Sequence, residues 1–422
     1  MTVKEHEMTQ RPLRAIAMAL TVLAGAACGT STLSAGPSGA PSPESTVFSS
    51  PTPTRTPAPT PDEGWRPVAD QASVQGVQYQ HVVWTGTRFV ATGTALGDPG
   101  DVFLNSSDGL TWQRQPAATA NAYPASLAAG PDGVVAVGRI DGRPASWFSQ
   151  DGLAWTARAD AFPVPTLGTD TIEVTAVVAT DHGWLAVGRE DPFCQTNCGL
   201  APVRALVWTS IDGLHWTPVS DQASFSKAAM TAVARLDSGF VAVGIAGTHA
   251  AVWTSPHGMA WTRVPDSPLF HELPSADPSM STTMAGITAA HGVVVAVGYE
   301  GNGGAHGPAA RAWWSKDGLA WALADGDHFL SGGEIDVRLT SVTVTPDGFL
   351  AAGFSSGGCV GGLWASSDGR AWRCVGLDPA FAGFTSYAVA ASTSVEVAVG
   401  LEAATNPTPA GLPGAVWRRT LP

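Results

Sequence analysis

The stretch MTAVARLDSGFVAVGIAGTHAAVWTSPHGMAWTRV, residues 230–264, contains one complete copy of the unit from which this chain is built. Apolar segments alternate in it with the short polar segments DSG, AGTH and PHG, which predicts four strands joined by two tight turns and one loop. The second segment, FVAVGI, is apolar and rich in β-branched residues, as in a strand covered on both faces. Four antiparallel strands of this kind are typical of a β-propeller blade.

The unit recurs along the chain. The glycine near the end of the second strand appears seven times, 45 to 56 residues apart, at Gly93, Gly138, Gly188, Gly244, Gly298, Gly353 and Gly400. A strand-rich repeat of roughly fifty residues indicates a propeller or a solenoid. The composition agrees, since 48 Gly, 32 Pro and only 14% charged residues favour short strands and turns over helices.

The two ends of the chain predict how the repeats close. The seventh repeat shows three strands, whereas GWRPVADQAS (residues 64–73) aligns with HWTPVSDQAS (residues 215–224), which contains a fourth strand. We therefore predict an all-β fold, a seven-bladed β-propeller of four-stranded antiparallel blades whose ring is closed by the N-terminal strand completing the last blade. Closure of this kind leaves no open edge strand.

A second motif, Ser-x-Asp-Gly-x-x-Trp, lies between the third and fourth strands of the repeats. The Asp can accept hydrogen bonds from backbone N–H groups of its own turn, the Gly can adopt a positive φ, and the Trp can bury its ring between blades. The fourth repeat has His257 in place of Asp, and the seventh has no copy. We predict structural roles for the five aspartates, Asp108, Asp151, Asp212, Asp317 and Asp368.

This motif resembles the Asp-box (BNR) repeat of sialidase-like β-propellers, in which one further residue separates Asp from Gly. The resemblance covers residues 64–422 and implies a propeller whose boxes lie far from any catalytic centre. It does not extend to the sialidase active site, because the Phe/Tyr-Arg-Ile-Pro tetrapeptide of that family does not occur in this sequence. Four tyrosines are available as nucleophiles, Tyr79, Tyr123, Tyr299 and Tyr387.

The N-terminal segments are not expected to join the propeller. Residues 1–28 combine basic residues, a short apolar run and small residues before Cys28, which resembles a signal peptide with a bacterial lipobox. Residues 29–63 are rich in Ser, Thr, Pro and Gly, as in a disordered tether. We expect a propeller at 64–422, lipid-anchored to the cell membrane on its extracytoplasmic side, with secretion as the alternative.

The remaining four cysteines suit disulfides in an exported protein. Cys194 and Cys198 would close a small loop, and Cys359 and Cys374 flank the sixth box motif, so they could bridge facing strands. A four-thiolate zinc site is the competing interpretation, but the cysteines lack paired Cys-x-x-Cys spacing.

Loop lengths predict which face of the ring carries function. The turns joining strands one to two and three to four are short, whereas the loops joining strands two to three and successive blades are long and unlike one another. All the long loops must emerge on one face, where function usually resides on a rigid scaffold. The polar candidates on this long-loop face are Arg189, Glu190, Glu300, His306, Arg311, Asp327, His328, Glu334 and Arg338. Arg338 could point into the central channel. The alternative is that these are solvated charges, or that Arg338 pairs with Glu334 or Asp336.

Charge and motifs narrow the function further. A net charge of −13 without a basic cluster argues against a nucleic-acid partner. We find no metal-ligand cluster, nucleophile elbow or phosphate-binding glycine loop, and we expect no cofactor. We expect a monomeric protein- or glycan-binding or scaffolding module that acts on an unknown envelope partner, with a sialidase-like glycoside hydrolase as the alternative. Two facing carboxylates or three convergent arginines at the channel mouth would favour the hydrolase.

Overall fold

The chain divides into two units, Met1–Thr56 and Pro57–Pro422, and every described residue belongs to the second. The computed structural model describes residues 64–68, 72–96, 100–115, 119–163, 171–191, 204–271, 281–301, 308–329, 336–377, 381, 383–402 and 414–421. The predicted signal segment with Cys28, the tether, Cys194, Cys198, His306 and Glu334 lie outside these residues. Within the described ranges, no helix is both long and apolar enough to cross a bilayer.

The described residues form 29 strands and two 3-10 helices, Ala223–Phe225 and Pro268–Phe270. In chain order, the first strands are β1 (Arg66–Pro67), β2 (Val77–Trp84), β3 (Phe89–Ala95), β4 (Asp101–Ser106), β5 (Gln113–Arg114), β6 (Ala122–Gly130), β7 (Gly133–Ile140), β8 (Arg143–Ser149), β9 (Thr156–Ala159), β10 (Thr171–Thr180), β11 (Gly183–Asp191), β12 (Arg204–Ser210) and β13 (Thr217–Pro218). They are followed by β14 (Ala228–Leu236), β15 (Gly239–Ala246), β16 (His249–Ser255), β17 (Thr262–Arg263), β18 (Thr282–Ala290), β19 (Val293–Glu300), β20 (Ala309–Ser315) and β21 (Trp321–Leu323). The last strands are β22 (Asp325–Gly326), β23 (Val337–Thr345), β24 (Gly348–Ser355), β25 (Leu363–Ser366), β26 (Ala371–Cys374), β27 (Phe384–Ala391), β28 (Val395–Glu402) and β29 (Gly414–Thr420).

These strands form the seven blades of a closed ring, which confirms the predicted fold. Blades 1 to 5 are β2–β5, β6–β9, β10–β13, β14–β17 and β18–β21, and blade 6 contains β23–β26. Blade 7 has the order β1-β29-β28-β27, so the N-terminal strand is its outermost strand. Arg66 lies opposite Arg418 and Pro67 opposite Trp417, and the Val68 N–H donates to the Val416 carbonyl at 2.8 Å. The prediction of closure is therefore confirmed.

Blade 6 carries a fifth strand that the sequence did not predict. β22 pairs in parallel with β26, the outermost strand of that blade. The Asp325 N–H donates to the Arg370 carbonyl at 2.8 Å, and the Asp327 N–H to the Trp372 carbonyl at 3.0 Å. The segment that leaves blade 5 thus crosses the outer edge of blade 6 before it enters the inner strand.

A close backbone approach explains the seven repeated glycines. The innermost strand of every blade contains a β-bulge near its start, for example between Met284 and Gly286 in β18. Opposite it, a Cβ on Gly298 would lie 1.9 Å from the Thr283 carbonyl oxygen, and one on Gly353 would lie 1.8 Å from the Arg338 oxygen. No side chain fits at such a distance. The glycine is therefore required by the bulge, a reason that the repeat pattern alone did not reveal.

Buried tryptophans tie blades 3 to 6 to the chain segment that enters each of them. Four third-strand tryptophans donate their indole N–H to backbone carbonyls of these segments: Trp208, Trp253, Trp313 and Trp364. In blade 2, Trp147 donates instead to the Asp101 carboxylate in β4 of blade 1, at 3.1 Å. Phenylalanines of the entering segments pack in the same clusters, as Phe162 does on Trp208 with ring centroids 5.3 Å apart. The apolar core therefore consists of layers between neighbouring blades, not of one central mass.

The box turns are held by hydrogen bonds within each turn. In the third repeat, Asp212 Oδ1 accepts hydrogen bonds from the N–H groups of Leu214 (2.9 Å) and His215 (2.8 Å) and from the Ser210 hydroxyl (3.2 Å). The Trp216 indole N–H donates to the Gly213 carbonyl at 3.2 Å. In the fourth repeat, where His257 replaces Asp, the Ser255 hydroxyl still accepts from the Gly258 N–H. Each of these turns therefore satisfies its own backbone groups.

One disulfide is present among the described residues. Cys359 and Cys374 are bonded, with Cα atoms 5.7 Å apart. The bond links the segment after β24 to the end of β26, and both residues are buried in the cluster of blades 5 and 6.

Candidate functional site

Four of the predicted site residues are held in ion pairs at the long-loop ends of the strands. Glu190, which is 0% exposed, pairs with Arg204, and Glu300 pairs with Arg311. Both pairs join the second and third strands of one blade. Arg189 pairs with Glu173 and with Asp191, and the latter contact is 2.7 Å. These charges are thus paired with opposite charges on the same strand or on a neighbouring one.

Arg338 lies at the start of the inner strand β23, as the sequence suggested, but its side chain packs between blades. Its guanidinium carbon is 5.4 Å from the centre of the Tyr299 ring in the preceding blade. Arg338 is not one of the described residues that line the channel cavity. A similar contact joins Arg139 to Tyr123 at 4.8 Å. These two pairs place cationic and aromatic groups at the long-loop ends of blades 2, 5 and 6.

Asp327 and His328 attach the segment between blades 5 and 6 to blade 6. The Asp327 carbonyl accepts from the Trp364 indole at 3.0 Å, and its N–H donates to Trp372. His328 has a positive φ of 59° and lies against Gly358. The positions of Asp327 and His328 are explained by these contacts between the connecting segment and blade 6.

A central channel cavity of about 900 Å³ is lined by the seven innermost strands. Its lining runs from the level of the bulges to Pro131 in the turn after β6, so it extends toward the short-turn face. That is the face opposite the loops to which the sequence pointed. None of the described lining residues is Asp or Glu, and the one arginine, Arg235, pairs with Asp181 at 2.5 Å. The described wall is therefore close to neutral.

Threonine hydroxyls on this wall hold neighbouring blades together. The bulge residues Thr175 and Thr231 each donate to a carbonyl in the next blade, those of Met230 (2.7 Å) and Met284 (2.6 Å). Thr340 does the same to the Tyr387 carbonyl at 3.2 Å. The hydroxyls thus satisfy carbonyls on the free edge of the inner strands.

Blades 7 and 1 contribute larger polar side chains to the channel, namely Gln78, Gln80, His81 and Tyr387. None of these has a side-chain hydrogen bond within the described part of the chain, and the buried Nδ1 of His81 has no partner. Burial lowers the pKa of His81 to about 4, so its imidazole is neutral at pH 7. Burial also raises the pKa of Tyr387, which keeps its phenol protonated. We did not predict this cluster from the sequence.

A signal for the cluster is visible once the repeats are aligned on the bulge. His81 follows the bulge residue of blade 1. The residues at the same place in the other blades are all small: Ser126, Ala176, Ala232, Gly286, Ser341 and Ala388. A histidine among six small residues marks a local departure from the repeat.

A second cavity, of about 440 Å³, lies on the short-turn side between blades 6 and 7, where blade 7 has no box turn. Glu396 and Arg419 line it and form an ion pair with 2.8 Å between Oε2 and Nε. Burial raises the pKa of Glu396, although the Arg419 guanidinium acts in the opposite direction. No group of three or more His, Cys, Asp or Glu residues that could hold a metal ion occurs in the described ranges.

Comparison with solved structures finds similar chains at low identity. YCF48 bound to D1 peptide is 14% identical, with 82% of this chain and 93% of that chain covered and a TM-score of 0.49. A Penicillium chrysogenum alpha-L-arabinanase complexed with arabinobiose is 11% identical, with 84% and 95% covered and a TM-score of 0.43. Trypanosoma rangeli sialidase in complex with sialic acid is 13% identical, with 85% and 57% covered and a TM-score of 0.43.

These similarities concern architecture alone, and no ligand or activity is transferred from them. No protein-family model matches the chain, and no curated protein matches it in sequence.

Proposed function

We propose that this propeller is a binding or scaffolding module whose partner is a protein or glycan of the cell envelope. The observation that supports binding over hydrolysis is the channel wall, where no described lining residue is Asp or Glu. A typical glycosidase needs two carboxyl groups across the scissile bond. At the long-loop ends, Glu190 and Glu300 are buried and already paired with arginines of the same blade.

The long-loop face is the proposed contact surface. The Tyr123–Arg139 and Tyr299–Arg338 pairs lie at that end of the strands. Tyrosine and arginine are the residue types that most often anchor interfaces, because they bury large planar surfaces and still form hydrogen bonds. Arg139 is exposed and therefore accessible to a partner.

The test compares two charge reversals in the full chain. Arg139→Glu changes the long-loop rim, and the matched control Arg263→Glu changes an exposed arginine on the outermost strand of blade 4. Each protein is immobilised and exposed to envelope extract, and bound molecules are identified by mass spectrometry and sugar analysis. We expect the wild type and Arg263→Glu to retain the same partner and Arg139→Glu to lose it. Retention by all three would refute the choice of face, and release of reducing sugar from envelope glycans would refute the binding role.

We further propose that the module is held outside the cytoplasm by a lipid on Cys28. The Cys359–Cys374 disulfide supports an oxidising compartment. Cells that express the full chain are labelled with a fatty-acid analogue. We expect label in the wild type and release of unlabelled Cys28→Ala protein into the medium. Unlabelled wild-type protein in the medium would instead indicate secretion.

A further inference from the structure

We infer that the central channel binds an uncharged sugar on the wall formed by blades 7 and 1, through Gln78, Gln80, His81 and Tyr387. The site lies inside the ring at the level of the bulges, and none of its four residues belongs to the Tyr–Arg pairs of the rim proposed as the contact surface. It therefore goes beyond the proposed function, and each can fail without the other.

The near-sevenfold repetition of the blades shows which channel residues the fold itself requires. At the bulge, the other five blades carry small residues, Ala125, Thr175, Thr231, Ala285 and Thr340. The three threonines among them use their hydroxyls to join blades. Blades 1 and 7 carry Gln80 and Tyr387 instead, and neither forms such a bond within the described residues. The other five blades form the same bulge with small residues, so the repeated structure of a blade does not require Gln80 or Tyr387.

The four residues lie on neighbouring inner strands because blade 7 closes against blade 1. β27 of blade 7 contacts β2 of blade 1, and all four residues line the same cavity. Part of His81 is exposed to that cavity while its Nδ1 is buried, so Nε2 is the atom through which it can meet a ligand. Polar groups that face a cavity without a protein partner can bond a ligand without breaking a protein hydrogen bond, so that only bound water has to be displaced.

The chemistry of the wall selects the ligand class. Amide, imidazole and phenol groups both donate and accept hydrogen bonds, as the hydroxyl groups of a sugar do. The described wall has no carboxylate for a cation, and Arg235 is already paired with Asp181, so a charged ligand gains little. Tyr387 adds an aromatic face on which the apolar face of a sugar ring can stack. The cavity volume is within the usual range for small-molecule sites.

The test measures sugar binding to the full chain by saturation-transfer NMR and calorimetry. The probes are glucose, galactose, mannose, arabinose and N-acetylglucosamine and their common disaccharides. Three variants copy residues that other blades already carry at the same positions, namely Gln80→Thr, His81→Ser and Tyr387→Thr. Gln113→Thr, an exposed glutamine on the outermost strand of blade 1, is the matched control. Thermal unfolding checks that every variant is folded.

We expect at least one probe to bind the wild type and the control, and each channel variant to weaken that binding by about tenfold, the effect of losing one net hydrogen bond. Equal binding to all variants would place the sugar elsewhere and overturn the inference. Absence of binding by every probe would also overturn it, as would tight binding of a peptide that competes for the same residues. If Arg139→Glu loses the envelope partner but still binds the sugar, both proposals stand. If Arg139→Glu still captures the envelope partner and sugar binding depends on His81, only the proposed contact surface is wrong.

Discussion

Glu396 and Arg419 form a buried ion pair between β28 and β29 at two positions where the other blades carry an apolar residue and a serine. In blade 6 the equivalent residues are Phe349 and Ser366, which face each other across β24 and β25. The serine begins a box turn, and blade 7 has none, because its fourth strand comes from the other end of the chain. The ion pair therefore occupies the site of a missing turn.

Removing one member of this pair should destabilise the protein, whereas replacing both members should not. We expect Arg419→Met to lower the free energy of unfolding by about 3–5 kcal/mol, since it leaves a buried carboxylate uncompensated. The double variant Glu396→Phe/Arg419→Ser restores the blade 6 residues and should be neutral or more stable, by up to about 4 kcal/mol. Urea unfolding of the single and double variants measures both. Equal losses in the two would contradict this explanation of the pair.

The neutral His81 should make stability depend on pH below neutrality. Its pKa of about 4 in the folded protein lies below the ordinary value of 6.5, so only the unfolded chain takes up a proton between these pH values. The free energy of unfolding is therefore not reduced by His81 above pH 6.5. It falls by about 3 kcal/mol as the pH is lowered to 4. We expect His81→Ser to remove this decline in thermal unfolding measured from pH 7.5 to 4.5. An identical pH profile in the variant would show that another group is responsible.

The box aspartates should make the stability of the protein depend on pH in a more acidic range than His81 does. Burial alone would raise the pKa of Asp212, but the backbone N–H groups of His215 and Leu214 outweigh it, so the pKa is lowered. This contribution is present above the unfolded pKa of about 4 and is lost as the pH falls through the folded value. We expect Asp212→Asn to cost about 1 kcal/mol at pH 7 and less at pH 3, since its difference from the wild type shrinks on acidification. A constant difference in melting temperature between pH 7 and pH 3 would refute the ionic contribution.

The repeated glycines should not tolerate even a methyl group. In Gly298→Ala the new Cβ would overlap the Thr283 carbonyl oxygen, so we expect a loss of about 3 kcal/mol or more. The matched control is Gly292→Ala, where φ is +71° but no atom lies within 4 Å of the added group. That variant should lose about 1 kcal/mol, through backbone strain alone. Similar losses in urea unfolding would indicate that strain, not overlap, decides both.

Ring closure should depend on Trp65. This side chain is 1% exposed and packs against Phe381 and under the Arg419 guanidinium. We expect Trp65→Ala to cost about 3–5 kcal/mol, the usual loss for a buried tryptophan. Trp155→Ala, which removes a partly buried ring stacked on Phe103, should cost less. A small effect of Trp65→Ala would mean that the N-terminal strand contributes little to the ring.

The sequence by itself determined the blade number, the strand order and the completion of the last blade by the N-terminal strand. These follow from features that repeat: an apolar second strand, a glycine after it and a box turn before the fourth strand. The hydrogen bonds of Asp212 also follow from local chemistry, because an Asp that accepts from N–H groups two and three residues ahead uses only its own turn. The repeat can be recognised in the sequence because each copy forms the same four-stranded blade and packs against a similar neighbouring blade.

Only the tertiary structure decided which polar residues remain available. Glu300 and Arg311 looked like loop charges, but their strands place them side by side, where they pair in a buried site. His81 and Tyr387 are about 300 residues apart in sequence and line one cavity only because the ring closes. The exposure and pairing of a side chain depend on its distances to residues of other strands and blades. The amino-acid sequence does not give these distances.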